Sequence, residues 1–156
     1  MTDNKQKVIK ILGCGNTLVG DDGVGIRIIE RLQEMKLPEN VAIIDAGVGG
    51  MAILSWIEDT DKVIIIDAVQ TGNEPAGTVY EFTDKELPPS DMFMLSLHDL
   101  NLVDTLNVGR LVQKMPDEIV IIGVEVKRVA EFTRDLTPEV EAAIPEVIDL
   151  VLKEIK

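Results

Sequence analysis

Short apolar runs alternate with amphipathic segments along the chain, and this alternation predicts its secondary structure. Four runs are almost continuously apolar and rich in β-branched residues, which is typical of strands covered on both faces. A fifth run alternates more and suits an edge strand. The four buried strands are predicted over residues 8–12, 41–45, 62–67 and 119–126, and the edge strand over residues 77–82.

Apolar residues at three- and four-residue spacing predict helices between these strands. The clearest helix covers residues 24–35, and a shorter one covers residues 50–58. The sequence Ser-Leu-His-Asp at 96–99 fits a capping box before a third helix that begins near Leu100. Each predicted helix therefore connects two predicted strands, as crossover helices do in parallel sheets.

The last helix is predicted to begin with Thr137 as its N-cap and Pro138 in its first position. Pro145 should bend or restart it. The order β-α-β-α-β, followed by further strands and helices, predicts one α/β domain over residues 1–156. We expect a three-layer sandwich with a mostly parallel sheet and helices on both faces. Residues 83–97 form one long irregular connection, and such connections are usually functional or disordered.

Composition and charge narrow the functional classes. The chain is 46% hydrophobic and 28% charged, which is typical of a globular protein, and its formal net charge is −13. This charge argues against nucleic acid and anionic membranes as partners, or it serves solubility alone. One cysteine excludes an internal disulfide. With no evident signal peptide and no apolar run long enough to span a bilayer, we expect a soluble cytoplasmic protein.

Acidic side chains follow each of the first three predicted strands. Asp21 and Asp22 come after the first strand, Asp45 ends the second and Asp67 ends the third. The carboxyl ends of parallel strands share one edge of the sheet, which is where open α/β sheets bind ligands. Converging carboxylates repel one another, so either some of them keep a proton with a raised pKa or a cation lies among them.

The only histidine, His98, follows the long connection and can fold back onto the same edge. Two carboxylates and one imidazole suit a first-row divalent metal such as nickel, zinc or manganese. A ligand set of this size leaves coordination positions open for water or substrate. The residues therefore predict a metal site in which His98 and two of the acids take part.

Each of these residues also has a purely structural interpretation. Asp21 suits the N-cap of the first helix, and Asp22 suits the positive end of that helix dipole. Asp45 and Asp67 suit turns after strands. His98 in a first helical turn is commonly solvated or hydrogen-bonded. The coincidence of all these residues at one edge is what favours the metal site.

The Gly-Cys-Gly sequence at 13–15 resembles the start of a dinucleotide-binding fingerprint. However, Leu18 stands where the third glycine belongs, and Asp45 lies farther along the chain than the usual interval of about 20 residues. Two acids at the start of the helix also oppose a pyrophosphate. Nucleotide binding is therefore the weaker prediction.

Two further features have more than one interpretation. Cys14 suits a small buried thiol better than a nucleophile, because no second histidine is available as its base if His98 binds a metal. The Met-Phe-Met sequence at 92–94 suits either the core or an adaptable peptide-binding surface, and both interpretations stay open.

Together these motifs resemble those of hydrogenase maturation proteases, the endopeptidases that finish the large subunit of nickel–iron hydrogenases. The resemblance covers nearly the whole chain, and the glycine turn followed by Asn16 and an acidic pair is its most specific part. It implies a twisted five-stranded sheet between helix layers, with one antiparallel strand at residues 77–82. The matching motifs lie at residues 13–25, 45–50, 64–68, 75–78, 96–98 and 136–138.

The resemblance also implies functional residues. The metal-contacting positions of the family are an acid after the first strand, the aspartate that ends the third strand and a histidine. By motif these positions are Asp22, Asp67 and His98. Some relatives have glutamate, one methylene longer, at the position of Asp22. Asp45 matches a position associated with catalysis. The implied metal is nickel supplied by the substrate, for which zinc or cadmium can substitute.

The implied activity is that of an aspartic-type endopeptidase, acting as a cytoplasmic monomer. It makes a single cut near the C-terminus of the large-subunit precursor after nickel has entered. Nickel then serves as a recognition element; alternatively, a bound metal polarises the scissile carbonyl and activates water, or Asp45 acts as the general base. The competing functional hypotheses are a non-catalytic nickel carrier and a nucleotide-binding enzyme.

Overall fold

The computed structural model describes residues 6–48, 50–86, 102–127 and 132–156. A 3₁₀ turn at Gly20–Gly23 directly precedes the first α-helix. The strands and α-helices of the described residues are, in chain order, β1 (Ile9–Gly13), α1 (Val24–Gln33), β2 (Val41–Asp45), α2 (Ala52–Ile57), β3 (Lys62–Val69), β4 (Val79–Thr83), α3 (Leu102–Val112), β5 (Glu118–Glu125) and α4 (Pro138–Glu154).

The strands form one sheet in the order β2-β1-β3-β5-β4. β1 pairs in parallel with β2 and β3, and β3 pairs in parallel with β5, whereas β4 is antiparallel to β5. The predicted five-stranded sheet with one antiparallel strand is therefore confirmed. β4 begins at Val79 rather than at Gly77, because Gly77 has a positive φ of 92° that interrupts the extended backbone.

Helices cover both faces of the sheet. α1 and α4 pack on one face, where Ile64 and Ile66 of β3 belong to a buried apolar cluster. α2 and α3 pack on the other face, where Ile65 belongs to a second cluster. Because successive side chains of a strand point to opposite faces, a strand between two helix layers is apolar at nearly every position. This explains the continuous apolar runs of β1, β3 and β5. The prediction that the strand at 41–45 is also buried on both faces was wrong, because β2 is an edge strand whose residues are all half-buried or exposed.

Several helix ends differ from the predicted bounds. α1 ends at Gln33, two residues before the predicted end, and α2 covers only Ala52–Ile57. Thr137 has the extended backbone of an N-cap, and α4 continues through Pro145 without restarting. The predicted capping box at 96–99 lies outside the described residues. No described helix combines the length and apolar composition that crossing a membrane requires.

A glycine at position 25 lets α1 approach the sheet closely. A Cβ atom on Gly25 would lie 2.4 Å from the carbonyl oxygen of Cys14 and 2.5 Å from that of Ile66. These oxygens belong to the backbone just after β1 and inside β3, so neither can move aside cheaply. The distance between α1 and the carboxyl edge of the sheet therefore depends on the absence of a side chain at position 25.

We expect Gly25→Ala to lower the free energy of unfolding by about 2–3 kcal/mol, because the added methyl group overpacks a backbone contact. Gly72→Ala is the matched control, since Gly72 has a φ of +76° and open space around its Cβ position. It should cost only about 1 kcal/mol of backbone strain. Urea unfolding measures both, and equal losses would contradict the close-packing argument.

Candidate functional site

The segment that follows β1 folds back over the edge of the sheet. The backbone N–H of Cys14 donates to Ile66 O at 2.9 Å, and that of Gly15 donates to Gly47 O at 2.7 Å. Gly15 has a φ of +139°, and a Cβ there would lie 1.9 Å from the carbonyl oxygen of Asp22. Only glycine fits this turn, which brings Asp22 back against the end of β1.

Asp22 is a buried carboxylate at this edge, with about 5% of its surface exposed. Its Oδ2 accepts a hydrogen bond from the backbone N–H of Asn16 at 2.9 Å. Burial raises the pKa of Asp22, and the hydrogen bond from Asn16 partly opposes that shift. Asp22 thus accepts one backbone hydrogen bond, and its burial makes the ionised form less favourable than it would be in water.

Asp67 lies near the end of β3, opposite Gly123 of β5, and is partly exposed. Its Oδ1 accepts a hydrogen bond from the N–H of Ala68 at 2.8 Å. Its pKa is raised from 3.8 to about 8, first by burial and then by the negative charge of Asp22, against the effect of the Ala68 hydrogen bond. At neutral pH Asp67 therefore holds a proton for most of the time in the metal-free protein.

Cys14 lies beside these acids and is almost completely buried. Burial raises the pKa of its thiol well above the usual value, and the charges of Asp67, Asp45 and Asp22 raise it further. The thiol therefore stays protonated at neutral pH and is unsuited to act as a nucleophile. The predicted burial of Cys14 is confirmed, and its environment shows that three of the predicted acids lie near one point.

Asp45 differs from Asp22 and Asp67 because it is exposed. It pairs with Gly13 at the end of β2, and its Oδ1 accepts a hydrogen bond from the N–H of Gly47 at 2.8 Å. This hydrogen bond is the local turn that aspartates favour after strands. Asp45 thus combines a turn-forming role with an exposed carboxylate beside the acid pair formed by Asp22 and Asp67.

Asp21 has a different structural role from the predicted one. It is not the N-cap of α1, because the 3₁₀ turn intervenes and Gly23 occupies the N-cap position without a side-chain hydrogen bond. Instead, its carboxylate accepts hydrogen bonds from the backbone N–H and the Oγ1 of Thr137, at 2.7 and 2.8 Å. Asp21 therefore supports the start of α4, where the helix dipole favours negative charge.

His98 and the Met-Phe-Met sequence at 92–94 lie outside the described residues. Within the described part of the chain, no three His, Cys, Asp or Glu side chains are grouped so that they could hold a metal ion. The structure thus brings together Asp22 and Asp67, and the third predicted ligand is not among the residues it describes. Two neighbouring carboxylates, one of which burial and the charge of the other keep protonated, are nevertheless a donor set that fits a divalent cation.

The glycine turn is not arranged as a phosphate-binding loop. The N–H of Gly15 donates to Gly47 O, that of Asn16 to the Asp22 carboxylate and that of Gly20 to Thr133 O. These backbone donors already bond to oxygen atoms of the protein itself. A phosphate would have to displace them beside two acids, which supports the earlier argument against nucleotide binding.

Glu125 is a buried acid that the sequence reasoning did not single out. It lies at the end of β5, and its Oε1 accepts hydrogen bonds from the Tyr80 hydroxyl at 2.8 Å and from the Thr71 hydroxyl. Its Oε2 accepts from the N–H of Thr71 at 2.9 Å. The carboxylate thus holds the segment after β3 against β5. A lone glutamate within an apolar strand pattern was the available signal.

Comparisons with known proteins identify what this arrangement is similar to. The family model described as hydrogenase maturation protease matches residues 26–154. The hydrogenase 2 maturation protease of Escherichia coli K12 is 34% identical over 149 residues, which cover 95% of this chain and 90% of that protein. The similarity therefore extends through the whole fold and includes the edge that carries the acids.

Solved structures show the same similarity. The hydrogenase maturating endopeptidase HybD from Escherichia coli matches with a TM-score of 0.82 and 33% identity, covering 94% of this chain and 91% of that one. The hydrogenase 2 maturation peptidase from a Thaumarchaeota archaeon matches with a TM-score of 0.72 and 31% identity, covering 96% of this chain and 98% of that one.

The raised pKa of Asp67 predicts a pH dependence of stability in the metal-free protein. Between about pH 4 and pH 8, folded Asp67 holds a proton that the unfolded chain has lost, so the free energy of unfolding falls as pH rises. The stabilisation is complete below pH 4 and is lost as pH rises through 8. We expect this fall to be smaller in Asp67→Asn, as measured by urea unfolding across this range.

Asp117→Asn serves as the control for that experiment, because Asp117 is an exposed acid at the opposite edge of the sheet. Its unfolding free energy should follow the wild-type pH dependence. If Asp67→Asn and the wild type gave the same pH dependence, Asp67 would not hold its proton as we describe.

A second prediction concerns the contact between Asp21 and Thr137. Thr137→Val removes a hydroxyl donor from a buried carboxylate and should lower the free energy of unfolding by about 1–3 kcal/mol. Thr137→Ser keeps the donor and should retain most of the stability. Thermal or urea unfolding distinguishes the two variants, and a serine variant as unstable as the valine variant would contradict the role of this hydrogen bond.

Proposed function

This chain belongs to the hydrogenase maturation protease family, and on that premise we propose that it removes the C-terminal extension of a nickel–iron hydrogenase large-subunit precursor. The cut follows the insertion of nickel into the precursor. The observation that carries this proposal is the acid pair, Asp22 and Asp67, at the carboxyl edge of the sheet, where burial and the charge of Asp22 raise the pKa of Asp67 to about 8. An endopeptidase that inspects a metal in its substrate needs acidic groups that favour a cation.

Nickel in this scheme is part of the substrate, and Asp22, Asp67 and His98 recognise it. The nickel-bearing precursor offers positive charge to two carboxylates that repel each other, so binding stabilises the ionised form of Asp67 and releases its proton. The N–H of Asn16 meanwhile orients Asp22. Zinc or cadmium suits the same oxygen and nitrogen donors, so either ion can serve as a probe of the site.

Asp45 is our candidate for the group that activates water. Its carboxylate is exposed and is oriented by the N–H of Gly47. Its charge raises the pKa of Cys14, as do the charges of Asp22 and Asp67, so it lies near the acid pair. An exposed carboxylate oriented in this way can accept a proton from water as a peptide bond is attacked. If the nickel of the precursor also took a direct part, the chemistry that it would supply is polarisation of the scissile carbonyl.

The acid pair predicts the outcome of a cleavage assay. The wild-type protein should shorten a nickel-loaded large-subunit precursor, and Asp67→Ala or His98→Ala should slow this at least about a hundredfold. The loss of a ligand should exceed the ten- to hundredfold effects typical of residues that merely support ligands. Mass spectrometry of the precursor, with and without nickel, measures the cut.

Asp117→Ala provides the matched control, since it removes an exposed acid from the other edge of the sheet and should cleave at the wild-type rate. Normal cleavage by both site variants would refute the assignment of Asp67 and His98. Stoichiometric nickel binding with no cleavage by the wild type would instead support a nickel carrier.

A further inference from the structure

Four exposed apolar side chains lie in segments that follow parallel strands, at the edge of the sheet that carries the acid pair. Leu18 follows β1, Val48 and Met51 follow β2, and Phe132 follows β5. Because these three strands are parallel, the segments after them leave the same edge of the sheet. We call these four residues the apolar rim. Exposed apolar groups that gather around a functional site commonly mark an interaction surface.

Leu18 and Phe132 are neighbours in the fold. Val19 and Thr133 form an isolated parallel bridge, and the N–H of Gly20 donates to Thr133 O at 2.7 Å. Residues that precede the two members of a parallel bridge lie at the same level, which places Leu18 beside Phe132. Phe132 is nevertheless 90% exposed, so its ring contributes almost nothing to the packing of the chain itself.

Hydrogen bonds connect the apolar rim to the acid pair. The N–H of Leu18 donates to Asn16 Oδ1 at 3.0 Å, and the N–H of Asn16 donates to Asp22 at 2.9 Å. On the other side, the hydrogen bond from Gly15 N–H to Gly47 O ties the segment that carries Val48 to the same turn. The turn that positions Asp22 thus also positions apolar side chains on both sides of it.

We propose that the apolar rim binds apolar side chains of the hydrogenase large-subunit precursor on either side of its metal-bearing segment. This inference rests on the proposed function. Continuity with the acid pair supports this occupant, because one polypeptide that delivers a cation to Asp22 and Asp67 must also cross the rim. Charge supports it too: a second copy of this chain would bring another net charge of −13 to an edge that already carries acidic side chains.

The chain offers a matched control surface. Leu111 is 86% exposed at the C-terminal end of α3. α3 leads directly into β5, so its C-terminal end lies at the opposite edge of the sheet. Leu111→Ser therefore removes a comparable exposed apolar side chain far from the acid pair.

The test compares Leu18→Ser, Phe132→Ser and the double variant with Leu111→Ser and the wild type, using a nickel-loaded large-subunit precursor. We expect KM to rise about tenfold in the double variant, as it does when an anchoring side chain is removed from an interface. The kcat of the double variant should stay within about twofold of the wild-type value. Both kcat and KM of Leu111→Ser should also stay within about twofold of the wild-type values. Nickel or cadmium affinity of the free protein and its melting temperature should not change, because the altered side chains are exposed.

Several results would overturn the inference. If the double variant cleaved with the same KM as Leu111→Ser, the rim would have no part in substrate binding, while the proposed function would still stand. If sedimentation showed a wild-type dimer that the double variant dissociates, the rim would be a self-association surface. If the wild type failed to cleave any nickel-loaded precursor, the proposed function would fall and this inference with it.

Discussion

The close approach of α1 to the sheet is the contact on which the acidic edge depends. Gly25 faces the carbonyl oxygens of Cys14 and Ile66 at distances that exclude a Cβ atom. Asp67 follows Ile66 directly, and Asp22 precedes Gly25 by one turn of helix. A larger residue at position 25 would push the start of α1 outward and separate the two carboxylates. The charge interaction between Asp22 and Asp67 therefore depends on the absence of a side chain at Gly25.

The acid pair has a clear physical consequence for this hydrogenase maturation protease. Burial and the charge of Asp22 raise the pKa of Asp67 to about 8, so the metal-free protein reduces the repulsion by holding a proton. A cation can replace that proton, which favours the binding of a positively charged group at this edge. This is consistent with our proposal that the metal arrives with the substrate.

The adjacent acids Asp21 and Asp22 have different roles, one structural and one in the candidate site. Asp21 has a structural role, because both of its carboxylate oxygens accept hydrogen bonds from Thr137 at the start of α4. Asp22 turns the other way and receives one backbone hydrogen bond from Asn16. The 3₁₀ turn at Gly20–Gly23 produces this division, since it rotates neighbouring side chains away from each other. The bridge between Val19 and Thr133, just before this turn, brings Leu18 and Phe132 together.

The sequence by itself determined the layered fold, because a strand between two helix layers must be apolar on both faces. Such strands appear in the sequence as short, continuously apolar runs. It also determined that Asp22, Asp45 and Asp67 would meet at one edge, since parallel strands end together. Only the tertiary structure decided that Asp21 supports α4, that Glu125 holds the segment after β3, and that Asp67 keeps its proton. These features depend on contacts between residues as far apart as 21 and 137, and on burial, neither of which a local pattern records.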